Sequence, residues 1–326
     1  MVYIESDSTD PYENLALEEY VFQQLDRSKA YFMLWQNDKS IIVGKFQNTA
    51  GEVNQSVVEQ KGIRVARRLS GGGAVYHDLG NLNYTFITDA DDTDDYNFRI
   101  FVEPVIRTLE GFGIHAEFTG RNDITIDGKK ISGSSQYGNG KRVLHHGCIM
   151  LDTDLSAVAE ALHVRAAKFT GKGIESVRSR VTTINTCAKE PVGMEQFKEA
   201  LRENVFQTGM ITRHELTRED RAMVKKLRDE KYATWEWNYG RSPAYEMQRE
   251  ARFPGGIVSA HLNVEAGAIK NIKIYGDFFG DGEISVLEKG LIGLRLDEEL
   301  AHHIERLEIG KYMKGVEARE LAELLR

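Results

Sequence analysis

The chain has 326 residues, 41% of them hydrophobic and 28% charged, enough for one large domain or two smaller ones with a core that needs no covalent staples. A formal net charge of −8 argues against a general nucleic-acid binder, while leaving room for a local basic pocket that takes a small anion. Only two cysteines occur and no CxxC pair, which argues against a structural zinc site and fits a reducing cytosol. The acidic start "MVYIESDSTDPYENLALEEY" has no signal-peptide core, and no apolar run approaches the roughly 18 residues of a membrane helix. A soluble cytoplasmic protein is expected.

Taken in chain order, the apolar residues between Asn14 and Leu25 have helical spacing, with Asp10 and Pro11 as start signals. "YFMLWQ" and "SIIVG" read as strands, Gln55 to Gln60 as a short helix, and "GIRVARR" as a strand that brings Arg67 and Arg68 to its end. "AVYHD" and "LNYTFIT" are expected to pair as strands flanking a turn at Gly80. The acidic tract at 89–95 reads as a solvated loop, and it lacks the glycine and terminal glutamate of a calcium loop. A helix over Phe98 to Leu109 returns to strand at "GFGIHAEF". Asp127-Gly128 between alternating residues marks a hairpin, and a second one turns at "GNGKR" into "VLHHGCIMLD". Helices are expected near 155–163, 195–207 and 217–229. "WEWNYGRSPAYE", aromatic and without period, reads as the junction to a second domain of strands followed by two or three amphipathic helices. Hairpins mixed with helices indicate an α+β class.

The stretch "RRLSGGGAVYHDLGNLNYTF" concentrates charge and backbone. Three glycines let the main chain approach a ligand and aim successive N–H groups at an anion. Arg67 and Arg68 add donors suited to phosphate or carboxylate, and Ser70 a hydroxyl. No Walker string occurs, and Tyr76 stands where a dinucleotide fingerprint needs glycine. The ligand these residues suit is a phosphate, a carboxylate or both.

This stretch, together with "GRNDITIDGKKISGSSQ", "HHGCIMLDTDL", "SVRSRVTTIN" and "WNYGRSP", all in the same order, resembles the lipoate–protein ligase A family over nearly the whole chain. The resemblance implies the biotin/lipoate protein ligase fold, class II synthetase-like: a catalytic domain over 1–245 (core about 27–214) with a mixed sheet flanked by helices, and a small α+β accessory domain over 246–326. It implies an ATP- and Mg²⁺-dependent ligase that converts lipoate to lipoyl-AMP and passes the lipoyl group to a lysine of apo carrier domains. Those carriers are oxo-acid dehydrogenase E2 subunits and the glycine cleavage H protein. A cytoplasmic monomer with no nucleic-acid or membrane partner is expected.

By the same resemblance Lys130 is the catalytic lysine, bridging the lipoyl carbonyl and the phosphate, while Lys129 points to the opposite strand face. Arg68 contacts the nucleotide or adenylate phosphate; Ser70, Gly72, Gly73, Ala74, Val75 and Tyr76 line the ATP and lipoyl-AMP pocket. His77 either orients a phosphate or leaving group or sits hydrogen-bonded beside the loop. Asn81 and Asn83 either hold the loop or reach the nucleotide, and of the two only Asn81 falls in the family string. Asn122 and Asp123 are candidates beside Mg²⁺, Asp123 as its ligand or as a cap of the hairpin. Gly72, Val75, Lys130 and His146 border the lipoyl chain, with Leu15, Leu17, Trp35 and Val43 as further wall candidates. Cys148 replaces a residue often threonine in the family. The cysteine nucleophile of related octanoyltransferases falls where this chain reads "GRND", which disfavours the alternative, a lipoyl or octanoyl transferase acting between carriers without ATP. A protein that binds lipoyl-AMP or a carrier without ligating it is the third reading.

Overall fold

The computed structural model describes residues 1–89, 97–120, 122–162, 180–207, 209–239, 247–265 and 267–326, and no side-chain environment at 50, 51 and 55. The acidic tract beyond Asp89, most of the "SVRSR" stretch and the second half of the "WEWNYGRSPAYE" junction therefore lie outside the described residues.

Eight strands form one mixed sheet: β1 (Val2–Glu5), β2 (Tyr31–Trp35), β6 (Asn81–Asp89), β7 (Glu117–Thr119), β8 (Asp123–Ile126), β9 (Lys129–Gly138), β10 (Arg142–Met150) and β11 (Thr212–Arg213). Their spatial order is β11-β1-β2-β6-β10-β9-β8-β7. β1 runs parallel to both neighbours, and the remaining pairs are antiparallel. Both expected hairpins form, and Asp127 and Gly128 carry φ of 48° and 72°, the left-handed pair that a two-residue turn requires.

Side-chain alternation divides this sheet into two working faces. Phe32, Leu34, Leu82, Tyr84, Phe86 and Ile149 pack on one side against α2 (Arg99–Gly111) and α3 (Met194–Phe206). Met33, Trp35, Ile87 and Leu144 point to the other side, where α1 (Pro11–Gln24) lies. Asp10 caps α1 by accepting from Tyr12 N at 2.9 Å, with Pro11 following. This helix buries three polar residues, Asn14, Glu18 and Glu19, along with its apolar ones, so it serves a site as well as a core.

A smaller sheet covers the same face: β3 (Ser40–Val43) lies between β4 (Arg64–Arg67), parallel, and β5 (Val75–His77), antiparallel. Here one expectation is corrected. "AVYHD" and "LNYTFIT" are strands but do not pair with each other: β5 joins β3, whereas β6 runs between β2 and β10. The Gly80 carbonyl accepts from Leu151 N and Asp152 N, so the turn is tied to the end of β10 and passes the chain from one sheet to the other. An alternating pattern sets which face a residue takes, not which strand it meets.

Beyond the junction, β12 (Met247–Phe253), β13 (Gly256–Glu265) and β14 (Ala268–Gly276) form an antiparallel sheet. It shares a core with α4 (Ile284–Leu291), α5 (Leu300–Glu305) and α6 (Ala318–Leu325). Phe46 from the first half of the chain belongs to this core, stacked on Phe278 at 4.7 Å, and its carbonyl accepts from Gly276 N. Lys45 reaches Glu283 at 2.9 Å beside it.

Two features of β10 allow stability tests. Arg142 is 1% exposed and donates to the carbonyls of Val21, Phe22 and Leu25, orphan acceptors at the end of α1, and to that of Lys29 in the turn beyond it. Arg142→Ala should lower unfolding free energy by about 3 kcal/mol in urea titrations, because several buried carbonyls lose a charged donor at once. Wild-type stability in that variant would disprove the role. His145 stacks on Phe101 at 4.6 Å in the core, and burial holds its pKa well below the ordinary value. A depressed folded pKa means the unfolded chain takes up the extra proton, so this contribution is complete above about pH 6.5 and is lost as pH falls. His145→Phe should flatten the acid limb of urea stability by about 1.4 kcal/mol per pH unit below pH 6. Parallel wild-type and variant curves between pH 7 and 5 would refute it.

Candidate active site

The face covered by α1 and the small sheet carries the site. Strand register places Trp35, Asn83, Cys148, Gly133 and Asp123 in one row across β2, β6, β10, β9 and β8. The next row on the same face holds Met33, Thr85, His146 and Ser135. Above them a narrow cavity of about 140 Å³ is lined by Leu15, Trp35, Ile42, Val75, His77 and Cys148, among others. From Gly133 to Trp35 the row crosses three strand spacings, about 14 Å, the span of a medium-length acyl chain. A wider cleft of about 650 Å³ adjoins it, bordered by Asp123, Thr125 and Asp277. Gly73, Ala74 and Lys130 border both spaces and so mark their junction.

Lys130 reaches that junction through a backbone irregularity. Thr125 pairs with Lys130 and Ile124 with Ser132, so Ile131 is an extra residue, a β-bulge. Without the bulge Lys130 and Gly133, three apart, would face opposite sides. With it, the ammonium lies over Gly133, where a Cβ would come within 2.6 Å of Nζ. Lys130 Nζ is 2.8 Å from Asp123 Oδ1, and each side chain is about one-third exposed. Lys129 is exposed on the hairpin, as alternation requires.

The glycine loop is held from beneath. Arg68 donates to the carbonyls of Gly71 (2.6 Å), Gly73 (2.8 Å) and Ile42 (3.1 Å), and through Nε to Ser70 Oγ (3.1 Å). Gly72 sits at φ 88°, a conformation that favours glycine, and a Cβ on Gly71 would lie 2.2 Å from the Phe278 carbonyl. Ser135 Oγ donates to Gly71 O at 2.9 Å, tying the loop to β9. Arg67 serves a different purpose: it donates to the carbonyls of Gly44, Lys45, Gln47, Trp237 and Asn238 and to Thr49 Oγ1. Burial lowers both guanidinium pKa values to about 10, which leaves them charged at neutral pH.

A chain of buried polar groups runs under the cavity. Trp35 Nε1 donates to Thr85 Oγ1 (3.0 Å), and Thr85 Oγ1 to Glu18 Oε1 (2.7 Å). The same oxygen meets His146 Nδ1 at 2.8 Å, and His146 Nε2 meets Ser70 Oγ at 2.6 Å. Asn122 is fixed on β9, its Nδ2 donating to Ser134 O at 2.6 Å.

Of the residues singled out from sequence, Arg68, Gly72, Gly73, Ala74, Val75, His77, Asn122, Lys130 and His146 border the narrow cavity, as do Leu15 and Trp35 of the wall candidates. Asp123 borders the wider cleft. Ser70 acts one step away, through His146 and Arg68. The Tyr76 side chain packs away from the cavity with Ile41, Val43 and Val58. Asn81 is buried, donating from Nδ2 to Asn83 Oδ1, and does not border the cavity. Leu17 and Val43 are core residues. Ile42 takes the wall position expected of Val43, a one-residue error of strand phase. Asn83, weighed with Asn81 for the loop or the nucleotide, borders the narrow cavity. Glu18 and Cys148 were not foreseen as site residues; alternation of β10 around His146 is the signal that would have found Cys148. Among the described residues no three His, Cys, Asp or Glu side chains converge as a metal cluster. Mg²⁺ accompanying a nucleotide needs only one or two carboxylates besides phosphate oxygens, and Asp123 fits that requirement.

Residues 10–206 match the lipoyl protein ligase A/B catalytic domain, and residues 242–325 match the bacterial lipoate protein ligase C-terminus. Lipoate–protein ligase 1 of Staphylococcus aureus is 43% identical over 318 residues, covering 97% of each chain. Among solved structures, LipL1 of P. falciparum in complex with lipoate matches with a TM-score of 0.81 at 25% identity over 99% of this chain and 98% of that one. A lipoate–protein ligase A bound with ATP matches with a TM-score of 0.63 at 29% identity, over 73% of this chain and 97% of that one. A narrow cavity of acyl length, joined at one lysine to a wider cleft, agrees with these likenesses: the chain belongs to the lipoate–protein ligase family.

Proposed function

We propose that this protein is an ATP-dependent lipoate–protein ligase whose narrow cavity takes the lipoyl chain and whose wider cleft takes the nucleotide, with Lys130 between them. The observation that carries this reading is the placement of the Lys130 ammonium, over Gly133 and beside Asp123, where the two spaces meet. In the first half-reaction a carboxylate oxygen of lipoate attacks the α-phosphorus of ATP, and the bond to pyrophosphate breaks. Two anions must approach each other. A preformed cation at the junction offsets their repulsion and stabilises the charge that grows on the α-phosphoryl oxygens. Arg68 contributes in two ways: it fixes the carbonyls of Gly71 and Gly73 on itself, and it holds a buried positive charge beneath the loop. The backbone from Gly72 to Tyr76, with Asn122, would contact the nucleotide and the adenylate.

Mg²⁺, when bound with ATP, supplies charge neutralisation at the phosphates, with Asp123 as its protein carboxylate. Asp123 also positions the Lys130 ammonium. In the second half-reaction the amine of a carrier lysine attacks the acyl carbon, AMP departs, and the amine proton passes to solvent. Apo lipoyl domains of E2 subunits and the glycine cleavage H protein are the proposed acceptors, entering by the wider cleft. A monomer is proposed as the working form. Among the described residues no helix is long and apolar enough to cross a membrane, in keeping with the proposed cytoplasmic location. We assign 1–245 to the catalytic domain and 246–326 to the accessory domain, whose Phe278 carbonyl abuts Gly71.

The test incubates the enzyme with ATP, Mg²⁺, lipoate and an apo lipoyl domain and weighs the product. A lipoyl addition that disappears when ATP is omitted supports the ligase; addition without ATP would favour the carrier-to-carrier transferase. Lys130→Ala should reduce lipoate-dependent ATP–pyrophosphate exchange by ~10²–10³-fold, as loss of one preorganised donor does. Exchange at the wild-type rate in that variant would remove Lys130 from the chemistry.

A further inference from the structure

At the Trp35 end of the cavity the ring of His77 stands edge-on to the indole, 6.4 Å between centroids. The position of its proton follows from hydrogen bonds that begin at the main chain. Asn14 Nδ2 shares its two hydrogens among the carbonyls of Ser8 (3.0 Å) and Gln36 (2.8 Å) and Asn37 Oδ1 (2.9 Å), and a nitrogen that only donates cannot face a second amide nitrogen. Asn37 is thereby oriented with Nδ2 toward His77 Nδ1, at 3.2 Å. Nδ1 accepts, so the ring carries its hydrogen on Nε2. Burial, reinforced by the charge of Arg68, lowers the pKa of this ring to about 3 and keeps it neutral.

His77 Nε2 is buried and has no hydrogen-bond partner among the described residues. Nor has Nδ2 of Asn83, the strand partner of Trp35. Both side chains are at least 97% buried, and both border the cavity. The wall around them is Leu15, Trp35, Ile42 and Val75. His77 lies two residues past Val75 on β5, about 7 Å further from the glycine loop at strand rise. Gly73 and Ala74 border both spaces, whereas His77 borders the inner one alone. A neutral donor at that depth meets the far end of the acyl chain, not a phosphate.

We propose that His77, with Asn83 beside it, is a specificity-determining residue that reads the dithiolane ring: the Nε2–H donates to a ring sulfur, and an alkyl end of equal length leaves the donor buried and unpaired. The inference rests on the ligase reading above. A disulfide sulfur is a weak acceptor but still an acceptor, whereas a methyl or methylene offers nothing. A site built to donate a hydrogen bond discriminates chiefly through the donor that a wrong ligand strands.

Two measurements test it. The wild-type enzyme is titrated by calorimetry with lipoate and with 5-cyclopentylpentanoate, which has the same shape without sulfur. Lipoate should bind about tenfold tighter, equivalent to about 1.4 kcal/mol; equal dissociation constants overturn the proposal. Steady-state pyrophosphate exchange is then compared for lipoate and octanoate in the wild type, His77→Phe and Asn83→Leu. The lipoate-to-octanoate ratio of kcat/KM should fall about tenfold in His77→Phe and in the same direction in Asn83→Leu, with the change in KM. An unchanged ratio, or equal loss of kcat for both acids, would mean a structural or phosphate role and overturn it. Absence of lipoate-dependent exchange in the wild type would instead defeat the ligase reading itself.

Discussion

Two consecutive guanidinium groups, both buried, set the conditions under which the rest of the site exists. A charged group removed from water must find acceptors on every side or the fold loses several kcal/mol. Arg67 and Arg68 find theirs almost wholly in backbone carbonyls, Arg67 in the 44–47 segment and at Trp237 and Asn238, Arg68 in the loop that follows it. A loop of three glycines would otherwise be the most mobile part of the chain. Its carbonyls are instead fixed inward on a cation, and the positive potential stays beneath the place where phosphate charge must be stabilised. Arg67 meanwhile holds the first, aromatic half of the junction against β3 and β4.

The large sheet is at once a core and a floor for chemistry, and neighbouring residues divide those tasks. His145 faces α2 and stacks on Phe101, while His146 faces the cavity and joins Glu18 to Ser70. Tyr84 sits among aromatic residues, while Asn83 and Thr85 on either side of it are polar and look toward the cavity. The polar chain from Trp35 to Ser70 sets the orientation of cavity side chains.

Much of this was readable in the sequence. Both hairpins, the cap at Asp10, the long helices and the strands around the glycines follow from period and turn chemistry, which are local properties. Arg68, the glycines and Lys130 could be named because their residue types are uncommon outside anion sites and because the motifs recur in a known family. What the sequence hid was non-local. Nothing in "AVYHD" tells it to leave its neighbour for β3. Ile41, Ile42 and Val43 are alike in character, so the residue that faces the cavity depends on strand phase alone. Glu18 lies within an ordinary helical pattern, and only its burial against His146 reveals a role.

The extra residue at Ile131 has a consequence for how this enzyme can be lost. Neighbouring side chains may be exchanged one for another and the ammonium of Lys130 still emerges on the same side. Adding a single amino acid to β8 between Ile124 and Thr125 would give Ile131 a partner, restore regular pleating and turn the lysine to the opposite side of the sheet, leaving the hairpin paired. Inactivation with retention of fold is thus reached here more readily through a change of length than through a change of residue.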